Sequence, residues 1–255
     1  MLKKTFLLIT LIATLLVPGC KKKPDKKSEL LIYCGITMIR PMKEIAEIIE
    51  KKNNCIIKIA KGASGNLLQS LKINKLGDLY LPGSETYMQK CKADGLLIGA
   101  PLLVGYNQAA MMVAKGNPKK VKANLDELLK PEYTIVLGNP ETGSIGKETQ
   151  KILSKKGIEK SAYKKALYFT TDSKDLTKAI RDRKADIVIN WRAISCQREN
   201  NTFLEALGIS EKYATKKKLL IGLLKFSKNK KTASKFIDYA CSPKGRKIFK
   251  KHGFQ

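Results

Sequence analysis

The chain has 255 residues, of which 43% are hydrophobic and 28% are charged, and it carries a formal net charge of +28. This length and composition are typical of a globular protein with a buried core and exclude a disordered chain. The charge comes mainly from lysines spread along the amphipathic segments, without a zinc-finger, RNP or helix-turn-helix pattern. We therefore predict no nucleic-acid binding, and a background field that favours anions and anionic surfaces.

The N-terminal residues have the order of a bacterial lipoprotein signal. A basic start is followed by an apolar run over residues 6–17 and then by Gly19-Cys20. This run is too short to span a bilayer comfortably. We expect residues 1–19 to be removed, Cys20 to be lipidated, and residues 20–28 to form a charged tether. The protein would then be exported and anchored in the cell envelope; the alternative is that Cys20 only flanks an ordinary signal peptide.

From residue 30 onward the apolar pattern alternates between strands and helices. Predicted strands cover residues 30–34, 55–60, 78–81, 108–114, 133–138, 166–169, 186–190 and 219–225. Predicted helices cover residues 41–52, 67–75, 84–93, 124–129, 147–156 and 174–183, with two closing helices in 232–251. This alternation is typical of an α/β fold with mainly parallel sheets and helices on both faces.

Two such series follow one another, which predicts two lobes with a cleft between them. The first lobe is expected to contain residues 29–107 and 226–255, and the second lobe residues 108–225. The strands at 108–114 and 219–225 would be the crossings. We expect a monomer whose lobes close on a ligand by a hinge motion.

Small loops with a hydroxyl group join strand ends to helix starts at four places. The clearest is Ser64, between an apolar strand and a helix, and the arrangement recurs at Thr37, Ser144 and Ser173. A helix start has unpaired N–H groups and a positive partial charge, so such loops can hold an anion. In α/β sheets, ligands sit at this carboxyl end of the strands. The alternative for Ser64 is that it only caps its own helix.

Residues for catalysis or metal binding are scarce. Gly138–Lys147 resembles a phosphate-binding P-loop, but its glycine spacing is wrong and Glu148 replaces the magnesium-binding hydroxyl. His252 is the single histidine and lies near the C-terminus, so no Ser/His/Asp triad can form. No two cysteines have the spacing of metal ligands. Cys34 and Cys55 lie on neighbouring predicted strands, where they either form a disulfide or act as small buried hydrophobes. We expect no catalytic activity, no cofactor and no metal site.

A series of short motifs follows in a fixed order along nearly the whole mature chain. It consists of Gly35-Ile36-Thr37, Met42–Ala46, Ala63–Leu67, Gly138–Glu141 with Gly146, Asp175–Ile180, Ala185–Val188 and Ile248–Phe254. This ordered set resembles the molybdate- and tungstate-binding components of bacterial ABC importers. The resemblance implies a type II periplasmic-binding-protein fold, a tetrahedral oxyanion as ligand, and an importer permease as partner.

The resemblance also implies a set of ligand-binding residues. By position, Thr37 and Ser64 match the hydroxyl ligands of the first lobe, and Ile145 and Leu176 match donors of backbone N–H groups in the second. Neutral donors at helix starts can hold a dianion without a counter-charge if the cleft is small and dry. The expected function is therefore capture of molybdate or tungstate.

The chain departs from the family pattern just after Ile187-Val188 in the last predicted strand of the second lobe. The tyrosine ligand of the family falls on Ile189, and Asn190, Trp191 and Arg192 follow. These three side chains suit a larger anion with an organic body, such as a carboxylate or a phosphate ester, and are candidate ligand-binding residues. Their alternatives are lobe packing for Trp191 and a surface ion pair for Arg192. A surface adhesin or an enzyme on the same fold is the other alternative.

Overall fold

The computed structural model describes residues 27–255. In chain order its strands are β1 (Ser28–Gly35), β2 (Cys55–Gly62), β3 (Leu79–Leu81), β4 (Leu97–Asn107), β5 (Ala109–Ala114), β6 (Ile135–Gly138), β7 (Phe169–Thr170), β8 (Ile187–Trp191), β9 (Leu204–Gly208) and β10 (Lys217–Leu224). Its α-helices are α1 (Ile39–Asn53), α2 (Ser64–Asn74), α3 (Glu85–Ala93), α4 (Ser144–Lys156), α5 (Glu159–Lys165), α6 (Ser173–Arg181), α7 (Lys230–Cys241) and α8 (Pro243–Lys251). Short 3-10 helices cover Ile36–Met38, Leu125–Leu129 and Arg192–Cys196.

The strands form two five-stranded sheets, each flanked by helices, and we call each sheet with its helices a lobe. The strand order is β2-β1-β3-β10-β4 in the first lobe and β7-β6-β8-β5-β9 in the second. Pairs β1-β2, β1-β3, β6-β7 and β6-β8 are parallel, whereas β4, β5, β9 and β10 pair antiparallel. The sheets are thus mixed rather than mainly parallel, because these four strands lack the helical crossover that parallel pairing needs.

The chain crosses between the lobes twice. Strand β4 continues into β5 through Gln108, and the chain returns from β9 to β10. Because β10 pairs with β3 and β4, it belongs to the first sheet, whereas the sequence pattern had assigned residues 108–225 to the second lobe. An apolar run shows that a strand exists but not which sheet will pair with it, which explains the difference.

Each lobe has its own buried core. In the first lobe, α1, α7 and α8 cover one face of the sheet, and α2 and α3 cover the other. Helix α1 illustrates the pattern, since Met42, Ile45 and Ile49 recur every three to four residues and are buried. The core of the second lobe forms around β5, β6 and β8 with α4 and α6. These packed sheets hold the loops at their strand ends in place.

All five cysteines in the described range are free. The register of β1 and β2 sets Cys34 opposite Lys61 and Cys55 opposite Ser28, at opposite ends of the strand pair, so Cys34 and Cys55 are too far apart to bond. Burial raises the pKa of the Cys34 thiol, in keeping with a small buried hydrophobe.

Within residues 27–255, no helix has both the length and the apolar character needed to cross a membrane. Cys20 and its signal lie outside the described residues.

Candidate functional site

The strand ends and helix starts of the two lobes meet at a small cavity, which we call the inner cavity. Its wall is formed by Gly35, Ile36, Thr37, Gly62, Ala63, Ser64 and Gly83 of the first lobe and by Gly143, Ser144, Ile145, Asp172 and Ser173 of the second. The centre of a water molecule has about 10 Å³ in which to move. That is the space of roughly one water molecule. The lobes are therefore closed on each other in this structure.

Two helices begin at the inner cavity with N-cap residues that carry no side-chain oxygen. The N-cap is Ala63 in α2 and Gly143 in α4. The first N–H groups of a helix have no intrahelical acceptor, and the helix dipole adds a positive partial charge at that end. An anion in the cavity can satisfy both features. Ile145, which the resemblance implied as an N–H donor, is the second residue of α4 and lies on the cavity wall.

The start of α6 differs because Asp172 caps it. The Asp172 Oδ1 accepts hydrogen bonds from the N–H groups of Lys174 at 2.8 Å and Asp175 at 3.2 Å. The Leu176 N–H donates to the Asp172 carbonyl within the helix, and the Leu176 side chain is buried. Leu176 therefore stays off the wall of the inner cavity, and Ser173 lines it instead. Burial raises the pKa of the Asp172 carboxyl, although its two N–H bonds act in the opposite direction.

Buried hydroxyl groups from both lobes line the inner cavity, namely those of Thr37, Ser64, Ser144 and Ser173. The Ser64 Oγ accepts a hydrogen bond from the Gly83 N–H at 3.0 Å, so this side chain bonds a neighbouring loop rather than capping α2. The Ser144 Oγ accepts from the Trp191 Nε1 at 3.3 Å. Because a hydroxyl is both donor and acceptor, each serine keeps its proton for a ligand.

Thr37 and Ser173 face each other across the cleft. The Thr37 Oγ1 donates to the Ser173 Oγ at 3.3 Å, and both side chains are almost fully buried. This contact is longer than a typical O–H···O bond. An anion between the lobes could accept a hydrogen bond from each hydroxyl and replace the contact. The structure thus brings together Thr37, Ser64 and Ile145 of the predicted ligand set.

The other predicted residues lie behind the cavity wall. Asn190 is fully buried and its Nδ2 donates to the Ser173 carbonyl at 2.9 Å, so it holds α6 in position. Trp191 is 1% exposed, does not line the inner cavity, and contacts its wall through the hydrogen bond to Ser144. The Arg192 guanidinium faces β9, where a Cβ on Gly208 would lie 3.2 Å from its Nη2. Strand β8 ends at Trp191 and the chain turns into a 3-10 helix at Arg192, which is not among the residues that line the inner cavity.

Two glycines allow the lobes to approach closely. The Gly65 N–H donates to the Thr142 carbonyl at 2.9 Å across the cleft. A Cβ on Gly65 would lie 2.7 Å from the Thr142 oxygen, a backbone atom that cannot rotate away. A Cβ on Gly83 would overlap the Ser144 Oγ, which would then have to rotate. Glycine at position 65 is therefore a steric condition for the closed arrangement.

Two α/β lobes that close over a cavity of helix starts and hydroxyl groups define a bacterial solute-binding protein. Residues 30–255 match the family of bacterial extracellular solute-binding proteins, and the chain belongs to this family. Members of this family are extracellular solute-binding proteins. The assignment agrees with the fold and with the solute-binding role that the ordered motifs implied.

Relatives and solved structures of the same architecture cover most of the chain. The chain is 28% identical, over 277 aligned positions, to YvgL of Bacillus subtilis, which is named as a candidate ABC transporter substrate-binding lipoprotein. The alignment covers 99% of this chain and 98% of that protein. The chain is 23% identical over 226 residues to the molybdate-binding protein ModA of Mycobacterium tuberculosis, covering 88% and 84%. The periplasmic molybdate-binding protein of Azotobacter vinelandii has a similar fold, with a TM-score of 0.75, 15% identity, and coverage of 89% and 98%.

Proposed function

We propose that this solute-binding protein captures a tetrahedral oxyanion, with molybdate or tungstate as the leading ligand, and delivers it as a monomer to an ABC importer permease. The observation that carries the proposal is the donor set of the inner cavity. Buried hydroxyl groups from both lobes and two helix starts without side-chain caps surround one small space. Such neutral donors suit a compact anion whose oxygens all accept hydrogen bonds.

The size of the closed cavity favours a bare oxyanion over an anion with an organic body. Its remaining volume of about 10 Å³ is roughly the space of one water molecule, so the lobes must part slightly to admit a tetrahedral oxyanion and much further to admit an organic body. The named ligand of the relative ModA, molybdate, agrees with this choice. A small organic acid or phosphate ester is the second candidate. It is supported by the similar fold of PEB3 with bound L-phospholactate, at a TM-score of 0.71 and 20% identity over 89% of this chain and 99% of that one.

The direct test is thermal stabilisation of the purified protein, without its signal and Cys20, by a panel of anions. The panel should contain molybdate, tungstate, sulfate, phosphate, a phosphate ester and a tricarboxylate. A ligand that binds only the folded state at 100 times its Kd stabilises that state by about 2.7 kcal/mol. We expect this effect with molybdate and tungstate. Stabilisation by the organic anions alone would establish the second candidate instead.

The variant Arg192→Ala separates the two candidates further. We expect it to bind molybdate within about twofold of the parent, because the guanidinium faces Gly208 rather than the inner cavity. A buried guanidinium that paired with the ligand would instead cost several kcal/mol on removal. Calorimetric titration measures the difference. A loss of more than about tenfold would show that Arg192 reaches the ligand.

We also propose that Cys20 carries a lipid that anchors the exported protein. The basic and apolar order of the N-terminal residues supports the anchor, as does the lipoprotein name of the relative YvgL. The variant Cys20→Ser should move from the membrane fraction to the soluble extracytoplasmic fraction. If it fractionates and migrates like the parent, Cys20 is not lipidated.

A further inference from the structure

A larger cavity adjoins the inner cavity at Ile36, and we call it the outer cavity. Its volume is about 400 Å³. Its charged lining residues are Arg40, Lys43, Lys61, Lys174, Lys178 and Arg181, with Glu199 as the single carboxylate. Six cations against one carboxylate give a formal charge of six minus one, or +5, around this space. The outer cavity is therefore strongly electropositive.

Both lobes contribute to this charge. Three of the cations belong to the first lobe, on α1 and at the end of β2, and three belong to α6 of the second lobe. All six cations are exposed. Of the six, only Arg40 and Arg181 take part in the ion pairs of residues 27–255, with Glu199 and Asp182 respectively. The four lysines present their charge to the solvent at the edge of the cleft.

The inner cavity, in contrast, has little charge of its own with which to attract an anion. Its wall consists of apolar residues, glycines and hydroxyl groups, and Asp172 is the one ionisable residue on it. Neutral donors bind an anion at hydrogen-bond distance but exert little force from afar. The charges of the outer cavity act over about 8 Å at physiological ionic strength. The charged residues of the outer cavity start where the inner cavity ends. Ser173 lines the inner cavity, and the next residue, Lys174, lines the outer cavity.

We propose that the outer cavity is an electrostatic entrance that collects oxyanions from solution and directs them to the inner cavity. The proposal rests on the proposed function, because it requires an anionic ligand. A cleft lined by one sign of charge raises the local concentration of the opposite ion and can raise association rates by about 10 to 10³. The entrance determines how fast the anion arrives, and the neutral donors of the inner cavity determine how long it stays.

Stopped-flow fluorescence with molybdate tests whether the outer cavity sets the association rate and the inner cavity sets the dissociation rate. Trp191 is the single tryptophan of the chain and hydrogen-bonds Ser144 on the cavity wall, so its emission reports binding. The entrance variant replaces three lysines by glutamine, namely Lys61→Gln, Lys174→Gln and Lys178→Gln. The matched control removes the same charge from exposed lysines elsewhere on the surface, namely Lys51→Gln, Lys231→Gln and Lys244→Gln.

We expect the association rate constant of the entrance variant to fall about tenfold at low salt and to depend less on ionic strength, with an unchanged dissociation rate constant. The control should associate within about twofold of the parent. An unchanged association rate in the entrance variant, or an equal loss in the control, would contradict the proposal. A change in the dissociation rate alone would mean that the lysines contact the bound anion instead of steering it. If the parent binds no molybdate, the proposed function fails and this inference fails with it.

Discussion

Replacing Gly65 with alanine is expected to weaken oxyanion binding about 100-fold or more while the protein still folds. The added Cβ would lie 2.7 Å from the Thr142 oxygen and 2.9 Å from the Glu141 oxygen, both on the opposite lobe. Both are backbone atoms, so no side chain can rotate away, and the lobes would close only with a gap. Because the ligand then loses the donors of one lobe, a cost of about 2.7 kcal/mol or more follows.

In the same variant, the free energy of unfolding should rise slightly, although the affinity for the oxyanion falls. Gly65 is the second residue of α2, and alanine is favoured over glycine there by at most about 1 kcal/mol, the value for a helix interior. Gln69→Ala is the control, since it changes an exposed side chain of the same helix that does not line the inner cavity. Calorimetry should show near-parent affinity for the control, and small-angle scattering with saturating molybdate should show compaction of the control but not of Gly65→Ala. Equal affinity in both variants would mean that this contact plays no part in binding.

Truncating the hydroxyl groups of the first lobe is expected to have the next largest effect. Thr37→Ala and Ser64→Ala should each weaken molybdate binding by about 1.5–3 kcal/mol, the range for hydrogen bonds to charged groups. Ser64→Ala should be the more damaging, because the Gly83 N–H also loses its acceptor. The expected loss corresponds to roughly 10- to 150-fold in Kd.

Matched substitutions separate a lost ligand contact from a damaged fold. Thr37→Ser keeps the hydroxyl group and should retain most of the affinity. Ser70→Ala removes a hydroxyl from the exposed side of the same helix as Ser64, where it bonds the Asn66 carbonyl at 3.1 Å, and should bind like the parent. Parent-like affinity in Thr37→Ala and Ser64→Ala would show that these residues only support the loops.

The strands and helices with a regular apolar period could be predicted from the sequence, and those without one could not. Helix α1 was predicted within two residues at each end, because its buried residues follow the helical period. Strand β4 was missed, since Gly99, Pro101 and Gly105 interrupt its alternation. Strand β9 was missed because only Leu204 of its five residues is fully buried. Strand β7 was placed too early, and the apolar residues before it are exposed.

The parts of the candidate site that depend only on neighbouring residues in the sequence could be predicted. A hydroxyl between a strand end and a helix start can be recognised from neighbouring residues, and the four hydroxyl groups predicted in this way all line the inner cavity. The direction of Arg192 could not be predicted, because it depends on how the chain turns after β8. The cap at Asp172 could have been found, since an aspartate directly before a predicted helix is a common N-cap signal.

Anomalous diffraction from crystals grown with tungstate would locate the bound oxyanion, because tungsten scatters strongly. We expect one dominant peak in the inner cavity, between the lobes. Hydroxyl groups of Thr37 and Ser64 and N–H groups at the start of α4 should lie about 2.7–3.2 Å from the tungstate oxygens. An empty inner cavity in crystals that contain tungstate, or tungsten bound only at surface lysines, would show that the inner cavity is not the oxyanion site.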